Sequence, residues 1–298
     1  MQYESAAIAG SRVRMGYTVE LQYDVGAPTD FILNVHAART PQQRVVAESF
    51  TVSSQVGVTL EEEPTFGNRL ARFRAEPGPL TARYTGTVEI VHFMAEPARL
   101  AGTPLAALPA SVLRYLLPSR YCQVDRVQAR AWQEFGHLTP GYVQVGAVCA
   151  WVRERTRFQA GVSGVNTSAL ETLDDGAGVC RDFAHLSIAL LRALNYPTRI
   201  VTGVDYGADP ALGPPDFHAY LEVFLGDRWY LFDPTAISPL TGLLRIGTGC
   251  DAADVSFATM FGNVRAGMPR VAIAAVEDVA AGISRPLPTM LAVSTAVE

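Results

Sequence analysis

From Arg14 to His92 apolar and polar side chains alternate with the period of two that a half-buried strand requires. TVELQYDV opens the pattern and FILNVHA follows a Gly-Ala-Pro-Thr turn. VVAESFTVSS, LARFRA and ARYTGTVEIVHF repeat it between loops rich in Gly, Pro and Glu. In EEEPTFGNRLARF the reversal falls on Phe66-Gly67-Asn68. Short strands at roughly ten-residue spacing, with no helical period, predict an all-β sandwich.

The pattern changes at AEPARLAGTPLAALPA, residues 95–110, a Pro- and Ala-rich stretch that reads as a linker. VLRYLLPSRYCQVD then suggests a short helix or turn around Pro118. RVQARAWQEFG predicts a helix with Val127, Ala131, Trp132 and Phe135 on its apolar face. The proline of TPGY opens another helix near 140, with Val145, Val148, Cys149 and Val152 as its stripe. QAGVSGVNTSALETLDDGAG, short of large apolar residues, reads as a loop. A mostly buried helix starts at Cys180: Phe183, Ile188, Leu191 and Leu194 form its apolar band, Ala184, Ala189 and Ala193 allow close packing, and Asn195 to Pro197 end it. TRIVTGVDYG predicts a strand, AYLEVFL and RWYLFD a hairpin reversing at Gly226-Asp227, and PRVAIAAVEDV one further strand. The organisation expected is an N-terminal β-sandwich domain, residues 1–98, followed by a mixed domain, residues 99–298, for an α+β chain overall.

Composition narrows this picture. With 49% hydrophobic and 18% charged residues the chain is that of a soluble globular protein, and no apolar run is long enough for a membrane helix. A net charge of −5 gives no reason to expect nucleic acid or an anionic membrane as partner. The N-terminus lacks the basic start and apolar core of a secretory signal, so the cytoplasm is the default location. Cys122, Cys149, Cys180 and Cys250 lie far apart and form no CxxC or Cys/His cluster, which argues against a zinc site or a disulfide framework. Neither a DxDxDG calcium loop nor a phosphate-binding glycine motif is present, so no metal or cofactor is expected.

One cysteine has surroundings that suggest chemistry. A glycine-rich loop delivers Cys180 to the first turn of its helix, where unpaired N–H groups favour a thiolate. The hairpin supplies a base. If its turn is centred on Gly226-Asp227, Tyr220 lies opposite Asp233 and His218 opposite Thr235, so His218 and Asp233 are diagonal neighbours on one face; a one-residue slip would separate them. Together these are the parts of a Cys-His-Asp acyl-transfer site: Cys180 as nucleophile, His218 as base, Asp233 as the group that orients the imidazole. His185 is a rival base, but five residues along the helix it lies about 140° around the axis from Cys180. Asp182 suits a helix N-terminus yet opposes a neighbouring thiolate. The roles of Arg181, Asp182 and His185, and the second oxyanion donor after the Cys180 N–H, stay open. His36 and His92, alone in alternating strands, read as structural or solvent-facing.

GVCRDFAHLSIALLRALNYPTRIVTGV followed by HAYLEVFLGDRWYLFDPT resembles the core of the transglutaminase-like superfamily, and the front half, including FGNRLARF, is similar to the β-rich region often attached to its bacterial members. The resemblance implies a papain-like fold for residues 99–298, with helices packed on an antiparallel sheet, and the same three catalytic residues in the order Cys180, His218, Asp233. It also implies acyl transfer on a peptide or amide substrate through a thioester. A hydrolase (peptidase or amidase), an amine-accepting transglutaminase and a catalytically silent binding module are the three functions compatible with it. Tyr220 stands where many relatives have Trp, Cys250 where they often have Arg, and the polar Arg181 and Asp182 beside the thiol follow the bacterial branch.

Overall fold

A computed structural model describes residues 10–297, apart from residues 55 and 213. The strand Arg12–Val25 buries every second side chain from Val13 to Val25 and turns the intervening ones outward, as alternation demands. It pairs antiparallel along its whole length with Gly78–Val91, whose other edge carries Gln43–Val52. A second antiparallel sheet is built from Ala258–Phe261, Thr29–Leu33, Arg69–Ala75 and Thr59–Glu62, in that order. Tyr17, Leu21 and Tyr84 of the first sheet share one buried cluster with Phe31, Leu33 and Phe73 of the second. The reversal at Phe66-Gly67-Asn68 lies between Thr59–Glu62 and Arg69–Ala75, with Gly67 at φ 73°, a conformation that glycine adopts without a Cβ penalty.

The two halves of the chain are interleaved. The expected strand near 270 is Arg270–Ala275; it and Val264–Ala266 pair with Arg12–Val25, while Ala258–Phe261 edges the second sheet. In return Phe93–Ala95 and the C-terminal strand Ala292–Val297 extend a six-stranded antiparallel sheet. Its order is Leu243–Gly249, Thr198–Asp205, Phe217–Leu225, Arg228–Phe232, Ala292–Val297, Phe93–Ala95. A buried ion cluster crosses three of these strands: Glu222 accepts from Arg199 at 2.7 Å and from Arg245.

Against this sheet packs α4 (Cys180–Ala193), and on α4 in turn pack α1 (Val124–Phe135), α2 (Tyr142–Arg155) and α3 (Ala169–Asp175). Every residue of α4 from Asp182 to Ala193 is buried, because the other three helices and two strands enclose it. Ile188, Leu186, Leu190 and Leu191 are fully inaccessible, each contributing about 1.5–3 kcal/mol by burial. Asn195, at φ 69°, ends the helix, as an asparagine tolerates the left-handed region.

Two sequence expectations need correction. Trp132 is 47% exposed rather than on the buried face of α1; its indole N–H reaches Ala193 O at 3.0 Å, which tips the ring onto the end of α4. The stretch read as a loop before Cys180 contains α3, started by the Ser168-x-x-Glu171 capping box: the Glu171 carboxylate accepts from Ser168 N at 2.7 Å.

Candidate active site

Three elements bring the site together. The loop ending in Gly178 and Val179 turns the chain into α4, whose first residue is Cys180. The Asp182 carboxylate reaches back to accept the Val179 N–H at 2.9 Å and closes that turn. Its other oxygen accepts from Arg181 at 2.9 and 3.2 Å. A Cβ on Gly178 would stand 2.7 Å from the Asp182 Cβ and 2.9 Å from its Oδ2, so only glycine leaves room for this cap. Asp182, fully buried, therefore serves the helix start, and its charge is spent on Arg181 and a backbone donor rather than facing the thiol alone.

The hairpin has the register required. Leu225 pairs with Arg228 across Gly226-Asp227, and Leu221 with Phe232; one step further sets Tyr220 beside Asp233. Gly226 sits at φ 69°, as the two-residue turn needs. His218 Nε2 lies 3.0 Å from Asp233 Oδ2, and both side chains are almost wholly buried. The second carboxylate oxygen of Asp233 accepts from Thr235 N at 2.9 Å and from Thr235 Oγ1 at 2.6 Å. With Nε2 so engaged, Nδ1 is the ring nitrogen left for the thiol.

Burial opposes charge on His218, but the Asp233 carboxylate and a hydrogen-bonding interaction with the Cys180 side chain outweigh it and hold the imidazole well above its ordinary pKa. Burial likewise works against the Asp233 anion; His218 and Thr235 overcome it and keep the carboxyl below its usual value. Asp205, at the end of Thr198–Asp205, is pushed upward by burial, and its Oδ2 has no partner among the described residues.

Burial pushes Cys122 and Cys149 up to about 12, and Cys149 lies on the buried stripe of α2. Cys250, half-buried, is also raised by burial. His185 sits inside the protein, its pKa lowered to about 4 by burial, stacked on Tyr121 at 4.9 Å and accepting Ala252 N at 3.1 Å. It fastens α4 to the 250–255 loop and takes no part in the Cys180 cavity. His36 and His92, expected within strands, each lie just outside one, and both are buried.

Cys180 and His218 line a cavity of about 600 Å³. One wall is the 163–165 segment, held by Arg181 Nη2 donating to Gly164 O at 2.8 Å and by Tyr121 OH donating to Val165 O at 2.7 Å. The Thr235 bonds to Asp233, and Tyr121 and Arg181 as wall-builders, are contributions that sequence reasoning did not assign; of these only Thr235, in the Asp-Pro-Thr triplet, carried a local signal. Among the described residues, no three His, Cys, Asp or Glu side chains gather as a metal site would need, and no helix is long and apolar enough to cross a membrane.

Comparison with known proteins agrees with this architecture. Residues 129–234 match the transglutaminase-like superfamily core, and residues 14–111 match the bacterial transglutaminase N-terminal domain. The crystal structure of a candidate cysteine protease from Cytophaga hutchinsonii is 34% identical, covers 96% of this chain and 98% of its own, and superposes with a TM-score of 0.89. An uncharacterised Mycobacterium leprae protein, ML0607, is 29% identical over 191 residues, 61% of this chain and 68% of that one. The ethylmercury-bound periplasmic domain of Pseudomonas aeruginosa TgpA is far more distant, at 15% identity over 75% of this chain and 90% of its own with a TM-score of 0.38. Matches over both halves, and a fold shared along nearly the whole length with a relative of this identity, establish that the chain belongs to the transglutaminase-like superfamily.

Proposed function

We propose that the protein is a cysteine-dependent acyl-transfer enzyme that cleaves amide or peptide bonds through a thioester and passes the acyl group to water. The observation that carries this reading is the continuous relay from Thr235 through Asp233 and His218 to the Cys180 thiol at the head of α4. In the proposed reaction His218 takes the thiol proton, and the Cys180 sulfur adds to the substrate carbonyl carbon. The C–N bond then breaks as the imidazolium gives its proton to the departing amine, leaving a thioester. His218 next draws a proton from water, whose oxygen adds to the thioester carbonyl; the C–S bond breaks as the imidazolium returns that proton to the departing sulfur, releasing the acid and restoring the thiol. Asp233 stabilises the imidazolium in both halves, and the Cys180 N–H, without an intrahelical acceptor in the first turn, donates to the oxyanion. Water as acceptor is supported by the similarity to the Cytophaga protein, itself a candidate cysteine protease.

The test uses an acyl donor with and without a primary amine, read by mass spectrometry on wild type, Cys180→Ala and His218→Ala. Expected are a thioester adduct on Cys180 and free acid as product even with amine present. An amide product would replace hydrolysis by amine transfer. If no adduct forms, and iodoacetamide labels Cys180 equally fast in wild type and His218→Ala, the fold serves binding and not catalysis. All four thiols are free, which suits a reducing compartment, and we place the protein in the cytoplasm; recovery in a periplasmic fraction would refute that.

A further inference from the structure

The cavity beside Cys180 is not built by the transglutaminase-like core alone. Its lining includes Asn34, which directly follows the strand Thr29–Leu33 of the N-terminal sheets. Only 2% of Asn34 is exposed, yet neither its Nδ2 nor its Oδ1 has a hydrogen-bond partner among the described residues. Its backbone is fixed, with Asn34 N donating to Phe257 O at 2.9 Å. Thr202 lines the same cavity, and its Oγ1 is likewise buried and unpartnered.

The sheet register sets these two residues near one another. Thr202 pairs with Gly247 on one side and with Ala219, the residue after His218, on the other. Gly247 in turn abuts Asn34: a Cβ there would stand 2.8 Å from Asn34 Nδ2 and 2.9 Å from Asn68 Oδ1. The two asparagines differ in what they do. Asn68 is engaged by the backbone, its Oδ1 accepting Thr248 N at 2.9 Å and its Nδ2 donating to Thr248 O at 2.9 Å. Asn34 has no such occupation. A buried carboxamide without partners destabilises the folded state, whereas an isosteric hydrocarbon would not. The rest of this part of the wall, Ile200, Ala219, Ile246 and Val255, is apolar.

Resting on Cys180 as the nucleophile, we propose that Asn34 and Thr202 form the polar end of the substrate cavity and select an uncharged amide group carried on an apolar stem. A carboxamide offers both a donor and an acceptor, so a substrate amide can pair with Asn34 through N–H···O in both directions, while Thr202 completes the set. A hydrocarbon end would leave these atoms unpaired, and a carboxylate would enter a buried end whose two selecting groups carry no charge. The N-terminal region thereby determines specificity for a nucleophile on the other half of the chain.

The probes are chloroacetamides whose amide nitrogen carries an alkyl stem of graded length ending in a carboxamide, an isosteric branched hydrocarbon or a carboxylate. Cys180 sulfur displaces chloride, and the labelling rate is read by mass spectrometry as a ratio between probes in the same protein. In wild type the carboxamide probe of best length is expected to exceed both isosteres by at least about tenfold. In Asn34→Leu the ratio against the hydrocarbon reverses, while Tm holds or rises because an unpaired buried amide has been removed. Thr202→Val lowers the same ratio and decides the matter if the leucine variant fails to fold. An unchanged ratio in these variants, a carboxylate preference in wild type, or a fall in Tm for Asn34→Leu with selectivity intact would overturn the proposal. If iodoacetamide does not label Cys180 in wild type at all, the nucleophile reading fails first and this inference with it.

Discussion

Removing the Thr235 hydroxyl tests whether Asp233 is held as the geometry indicates. Thr235 Oγ1 donates to Asp233 Oδ1 at 2.6 Å, and the Thr235 N–H shares the same oxygen at 2.9 Å. Thr235→Ala deletes the first bond, keeps the second and introduces no clash. A hydrogen bond to a charged group is worth about 1.5–3 kcal/mol, so urea denaturation at pH 7 is expected to show a loss in that range. The penalty follows the charge. The folded Asp233 carboxyl lies below its ordinary value of 3.8, so its contribution is present above that value and is lost as pH falls through the folded pKa. The gap between wild type and Thr235→Ala therefore narrows on acidification. In an Asp233→Asn background the same substitution breaks only a neutral bond, and the penalty shrinks to about 0.5–1.5 kcal/mol. Labelling of Cys180 by iodoacetamide at neutral pH slows severalfold in Thr235→Ala, whereas Thr235→Ser restores it. A penalty equal in both backgrounds and constant with pH would refute the relay, leaving Thr235 as an ordinary turn residue.

Gly178→Ala is expected to cost about 1–3 kcal/mol in urea denaturation, because its methyl displaces Asp182 from the Val179 N–H; Asp182→Asn, which keeps an acceptor at that position, loses less, and equal losses would contradict the cap. Acid stability reports the buried imidazoles. Burial holds His36, His92 and His185 at about 4, so each is neutral in both states above pH 6.5 and stays neutral only in the folded state as pH falls. Stability should fall between pH 6.5 and 4 by on the order of 3 kcal/mol for each ring. His218 has the opposite sign: its contribution is complete below pH 6.5 and is lost as pH rises through its raised folded value. A flat stability profile across this range would show that these rings are not excluded from water.

Much of the site was legible because its determinants are local. Gly226-Asp227 fixes a two-residue turn, the turn fixes the register, and the period of two then places His218 and Asp233 within reach. The apolar residues and small alanines after Cys180 likewise announce a mostly buried helix; that every residue from Asp182 to Ala193 is enclosed came only with the packing around it. The helix α3 was missed for a different reason: its Ser168-Glu171 capping signal was present, but seven residues give too little periodicity to outweigh the surrounding turn formers. Trp132 was misplaced because helical spacing locates a face and cannot tell that a large ring at its edge will lie over the end of α4 instead of entering the core.

Other features depend on residues far apart in the chain. Asn34 meets Gly247 because the N-terminal sheets dock beside the six-stranded sheet. His185 becomes a structural tether only when the 250–255 loop presents Ala252 N to it. Arg192 is buried with no carboxylate partner among the described residues, its charge instead spread over Thr198 O, Leu117 O, Ser119 Oγ and Cys250 O. The sequence alone therefore determined the α+β character, the long strands of the first half, the Phe217–Phe232 hairpin with His218 beside Asp233, and the buried helix with Cys180 at its start, since turn chemistry and side-chain periodicity act over a few residues. Tertiary structure decided what surrounds that constellation: the Asp182 cap, the Thr235 contact, the return of residues 258–275 to the first sheets, and the Asn34 wall. Those depend on which surfaces exclude water together, and packing of that kind leaves no periodic signature in the chain.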